Sequence, residues 1–196
     1  MWKGKITVRK TVLAAVLAAV LALGVAAPAL AASPADLRCI DNRLTVAQRA
    51  AVADLFAAQT SDPKESRAAP QGSAAASADF TAVINGCASL LGWSSAQKDA
   101  AVQYLLKSGA VSRIAVKQGP GWAVAMERFA PFGARILPAE GEPGDHARAM
   151  IAAGARANGV TLGKDDDGKD DVAPVVDYIT ASRAATDAKM LFAQAR

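Results

Sequence analysis

The chain has 196 residues, 52% apolar but only 5% aromatic, and its 22 Lys and Arg exceed its 18 Asp and Glu by four. Four of the cations, Lys3, Lys5, Arg9 and Lys10, precede an acid-free apolar run, so beyond that stretch the 18 remaining cations balance the 18 acids. A balanced chain without arginine–aromatic interleaving lacks the footprint of a nucleic-acid binder, and two cysteines with one histidine are too few for a zinc site once the cysteines pair.

The first predicted element, residues 1–31, is an export leader. The basic start is followed by apolar residues from Thr11 to Ala27, then Pro28 and the small-x-small motif Ala29-Leu30-Ala31. Signal peptidase reads that order of features. Cleavage after Ala31 leaves 165 of the 196 residues, one domain of ordinary size at 32–196. The alternative keeps Val12–Ala32 as an anchor in the inner membrane, because it is long enough to span. No later segment approaches that apolar length, so no span is expected after leader removal. The charged residues just before Cys39 argue against a lipoprotein. The leader's composition points to a bacterium and to the periplasm.

Alanine supplies about a quarter of the residues, and no long alternating β-branched run occurs. Alanine loses no side-chain entropy in a helix. The expected fold is all-α, a small irregular bundle of about six helices. Ser33-Pro34-Ala35-Asp36 has the cap, first-turn proline and acid of a helix start, and Leu37, Ile40 and Leu44 make a short apolar face. Thr45-Val46-Ala47-Gln48 is a capping box opening a helix to about Ala58, with Val52, Leu55 and Phe56 inward. From 59 to 78 the polar, Pro- and Gly-bearing composition predicts a mobile connection.

Phe80, Val83, Ile84, Cys87, Leu90 and Leu91 form the clearest helical face, with Asn85-Gly86 as a candidate kink. Ser94-Ser95-Ala96-Gln97 is a second capping box, its helix expected to stop at Ser108 before Gly109. Arg113–Lys117 reads either as a brief extended piece or as more helix. Trp122, Met126 and Phe129 share a face of a helix ended by Pro131, and 132–144 reads as irregular. Asp145 caps a helix carrying Met150, Ile151 and Ala155 and closed by Asn158-Gly159. The final helix starts at Asp170 or Asp171, with Pro174 in its first turn.

Cys39 and Cys87 are expected to pair, since an even cysteine count in an exported chain means a disulfide framework. Each is followed by a short break and a capped helix. That echo suggests two disulfide-linked helical hairpins, the simpler reading being two similar caps in an alanine-rich chain. Trp122, Met126 and Phe129 are candidates for a ligand groove, with a core stripe as the plainer explanation. Asp165, Asp167, Asp170 and Asp171 flank Gly168 and are candidate calcium ligands, although no EF-hand register fits them. Carboxylates around Glu127 and Glu140 to Glu142 admit an envelope polysaccharide hydrolase, which needs two placed carboxyl groups. His146, alone at a helix start, reads as solvent-facing. No cofactor is expected. The leading expectation is an exported, non-catalytic binding or structural protein whose partner is a protein or small ligand of the cell envelope.

Overall fold

The computed structural model describes residues 32–60, 73–139 and 141–195. The expected leader at 1–31, the middle of the expected connection at 59–78, and Glu140 lie outside them. Among the described residues a 3₁₀ turn, Pro34–Leu37, is followed by helices α1 (Arg38–Arg43), α2 (Val46–Thr60), α3 (Ser73–Leu91), α4 (Ser95–Gln118), α5 (Pro120–Ile136) and α6 (Asp145–Ala157). A two-residue hairpin, β1 (Gly163–Lys164) and β2 (Asp170–Asp171), then leads into α7 (Ala173–Gln194). The fold is all-α apart from this ladder, which pairs Gly163 with Asp171 and Lys164 with Asp170 antiparallel.

Local chemistry sets the starts. The Ser33 Oγ accepts the Ala35 N–H at 3.2 Å while Asp36 accepts the Ser33 N–H at 2.9 Å. Both predicted capping boxes are present. Gln48 and Thr45 exchange bonds at 2.8 and 3.2 Å, and Gln97 and Ser94 do so at 2.7 and 3.1 Å. Each pair satisfies two helix-end donors that would otherwise be orphaned. At the far end of α6, Asn158 donates its side-chain amide to the Gly154 carbonyl at 2.8 Å, and Gly159 turns the chain with φ +82°.

Tertiary contacts moved several boundaries. Helix α4 passes through Gly109 to Gln118, and Arg113–Lys117 is helical. Gly109 is a contact point instead of a stop: a Cβ there would lie 2.6 Å from the Arg49 carbonyl oxygen of α2. The chain turns only at Gly119, φ +95°, with Pro120 opening α5. Pro131 does not end α5, which continues to Ile136. The proline has no N–H to offer the Glu127 carbonyl, but residues on both sides are packed and the helix carries on. Helices α2 and α3 extend into both ends of the expected 59–78 connection, and α3 runs unbroken through Asn85-Gly86. The N-cap of α6 is Gly144, with Asp145 first inside the helix. Helix α7 starts at Ala173 because Asp170 and Asp171 are taken up by β2, although Asp171 Oδ1 still accepts the Ala173 N–H at 3.0 Å.

Two apolar clusters form the interior. The first gathers Leu37, Ile40, Leu44, Val52, Phe80, Ile84, Cys87, Trp93 and Leu105 with Phe192 from the end of α7. Of the predicted α3 face, Phe80, Ile84 and Cys87 are buried and Val83 is half-buried, but Leu90 and Leu91 are exposed, because the chain turns away at Gly92 (φ +68°). The second cluster gathers Trp122, Met126, Phe129, Ile151, Ala155 and Val160 with Val175 and Ile179 from the start of α7. Helix α4 supplies Tyr104 and Leu105 to the first and Val111 and Ile114 to the second. These two long helices run antiparallel and stitch the clusters together.

Cys39 and Cys87 form the disulfide, with Cα atoms 5.9 Å apart. It joins α1 to α3, so each bonded helix is followed by a break and a capped helix, α2 or α4, and those two pack side by side. No described helix is long and apolar enough to cross a membrane.

Candidate functional site

A cleft of about 890 Å³ opens where α4, α5 and α7 diverge between the two clusters, closed at one end by α1 and α2. Small side chains make the space. Ser108, Ser112 and Ala115 on α4 face Ala123, Ala130 and Ala134 on α5, and α7 adds Ser182 and Ala185. Each set recurs at helical spacing, so three short-side-chain stripes meet where larger residues would fill the gap.

Both tyrosines of the chain line this cleft. Tyr104, 3% exposed, donates its hydroxyl to Asp41, lying 2.8 and 2.9 Å from the two carboxylate oxygens. Arg49 stands behind that pair. Its Nη1 is 3.5 Å from Asp41 Oδ1 and donates to the carbonyls of Asp41 and Leu44 at 3.2 and 3.3 Å. Its Nε donates to Ser112 Oγ at 3.4 Å. Burial, then the Asp41 charge and its hydrogen bond, hold the Tyr104 phenol far above its ordinary pKa. The Lys189 ammonium sits 5.2 Å from the ring centroid, a cation–π distance.

At the other end Tyr178 meets Trp122 edge-to-face, with centroids 5.4 Å apart. Burial and then the negative charge of Glu127 raise its pKa also. Arg183 donates to the carbonyls of Ala134, Leu137 and Pro138 at the end of α5. It thereby occupies acceptors that a helix C-terminus leaves free. Neither tyrosine is primed to become a phenolate nucleophile. Both remain neutral hydroxyls, hydrogen-bonding groups on a largely apolar wall.

Sequence reasoning did not single out Tyr104, Tyr178, Asp41 or Arg49. The available signal was the scarcity of tyrosine in an alanine-rich chain. Trp122, Met126 and Phe129 are packed in the second cluster at 9%, 0% and 0% exposure, behind the cleft wall. Among the candidate calcium residues, Asp165 Oδ1 accepts the N–H groups of Asp167 and Lys169 at 3.1 and 2.8 Å. Asp170 pairs with Arg156 and, at 3.0 Å, with Lys164. Asp171 accepts the Ala173 N–H at the start of α7. Among the described residues no three His, Cys, Asp or Glu side chains converge as a metal site. Glu127 borders the cleft, whereas Glu142 lies outside it and faces Arg148 at 3.5 Å. His146 is exposed at the start of α6.

No protein-family model, curated protein or solved structure matches this chain. The cleft is therefore read from its own chemistry.

Proposed function

We propose that this chain is exported to the periplasm of a bacterial cell and acts there by binding a small ligand or partner, without catalysis, through the cleft between α4, α5 and α7. The cleft carries the reading: a cavity of about 890 Å³ with a floor of small side chains and two neutral tyrosine hydroxyls. Its dimensions and mixed lining suit ligand enclosure. The charged side chains nearest the floor serve as structural partners. Asp41 and Arg49 hold one another and Tyr104, and Arg183 closes α5. Export is supported by the leader pattern at 1–31 and by the paired cysteines, since disulfides persist in oxidising compartments.

N-terminal sequencing of the natively expressed protein tests export. A periplasmic product starting at Ala32 and gaining two hydrogens on reduction is expected. A cytosolic product starting at Met1 with reduced thiols overturns it. Native mass spectrometry of protein isolated from its own envelope tests binding. An adduct on the wild type that Ala134→Trp removes is expected. No adduct, or one that Ala134→Trp leaves in place, overturns the cleft assignment.

A further inference from the structure

Charge near the cleft floor is already compensated within the chain. Asp41 is matched by Arg49 at 3.5 Å and by the Tyr104 hydroxyl at 2.8 and 2.9 Å. Arg49 also has two backbone carbonyls, and the Arg183 guanidinium is spread over three. The other charged lining residues are Glu127 and Asp187, both exposed, and half-buried Lys189, which is engaged with the Tyr104 ring. Asp41, Glu127 and Asp187 against Arg49, Arg183 and Lys189 leave the lining with no net charge, so an entering ion of either sign meets no net attraction. A charge of either sign pressed against the floor would lose its water without meeting an unsatisfied counter-ion, and that is costly. The same floor presents hydroxyls among alanine, Val111 and Ile179: Tyr104 and Ser108 donate to Asp41 and the Leu105 carbonyl and keep lone pairs, Ser112 accepts from Arg49 and keeps its proton, and Ser182 adds a fourth. Tyr104 to Ala115 covers twelve residues of α4, eleven helical rises, a floor about 16 Å long.

Resting on the cleft being the binding surface, we infer that it takes the uncharged, mainly apolar body of an elongated ligand, such as linked or fused rings bearing a hydroxyl or amide, and rejects a formal charge against its floor. Selectivity then comes from desolvation: a neutral body sheds little hydration, and its polar group exchanges water for a protein hydroxyl.

Two matched neutral and charged probe pairs, the second of them isosteric, test this on the oxidised protein spanning 32–196. N-phenylnaphthylamine is compared with anilinonaphthalene sulfonate, the same scaffold with an added sulfonate, and naphthylmethanol with naphthylmethylamine. Fluorescence titration and displacement of N-phenylnaphthylamine are the readouts. Each neutral member is expected to bind at one site, more tightly than its charged partner by about tenfold or more. Ser182→Trp, which places an indole in the middle of the floor, is expected to weaken it to a similar degree, and Ala123→Phe obstructs the Glu127 end should Ser182→Trp fail to fold. If a charged member binds as tightly as its neutral partner and a blocking variant weakens both, the neutral-ligand inference falls while the cleft stands. If the neutral probes do not bind, or neither variant affects them, the cleft reading falls as well.

Discussion

Tyr104 shows how one side chain serves both stability and the cleft. Its hydroxyl is tied to Asp41, its ring belongs to the first cluster, and its edge lines the cavity. A hydrogen bond to a charged group contributes about 1.5–3 kcal/mol, less where water can take over. Asp41 keeps 29% of its side chain exposed, so Tyr104→Phe should lower the unfolding free energy by about 1–2 kcal/mol in urea titration. Both phenols have folded-state pKa values above the ordinary 10.0. A raised pKa means that the folded state holds its proton more tightly. The resulting stabilisation is fully present below pH 10 and is lost progressively as the pH climbs from there toward the folded values. Near-ultraviolet titration should therefore show both tyrosines ionising above the usual value while the fold persists. Stability should fall above pH 10, less steeply in Tyr104→Phe. A normal titration of both tyrosines in the folded protein would contradict their burial.

At the level of elements, the helices approach as closely as their smallest residues allow. A Cβ on Gly109 would lie 2.6 Å from the Arg49 carbonyl and 3.3 Å from Ala53 Cβ, and backbone cannot swing aside as a side-chain tip can. Gly109→Ala is expected to cost about 1–3 kcal/mol through forced separation of α2 and α4, despite alanine's better helix propensity. Gly121, in the first turn of α5, has nothing within 4 Å of the added atom. Gly121→Ala should stabilise by about 0.5–1 kcal/mol. Opposite signs in thermal melts would locate the α2–α4 contact at Gly109. The start of α7 offers a third test. Asp171→Ala removes the exposed bond to the first N–H of α7, that of Ala173, and should cost about 0.5–1.5 kcal/mol, the worth of one hydrogen bond.

Across the molecule, two clusters are held together by the shared helices α4 and α7, and the disulfide belongs wholly to the first. A bridge with sequence separation 48 restricts the unfolded chain by about 4 kcal/mol in the chain-entropy model. Replacing both cysteines by alanine should therefore lower stability by several kcal/mol. Amide exchange should accelerate first in α1 and α3, with α5 and α6 protected longer. Uniform acceleration would mean that the clusters unfold as a single unit.

Much of this design is legible along the chain, because capping boxes, the helical period and cysteine parity are local or compositional signals. Ser33, Thr45 and Ser94 cap helices because each acceptor lies within three residues of its donor, and Leu37, Ile40 and Val52 are buried as their spacing implies. Gly109, Pro131 and the end of α3 misled because a glycine, a proline or a leucine carries one meaning locally and another against a neighbouring helix. The cleft was illegible for the same reason. Asp41 and Tyr104 are 63 residues apart, and serines and alanines scattered over three helices form a floor only once those helices converge. The amino-acid order by itself determined where the helices with a capping box begin, that the segments are helices, and which sulfurs meet. Packing alone decided how far α4 and α5 run, how the interior divides in two and where a cavity opens, since these depend on distances between residues far apart along the chain.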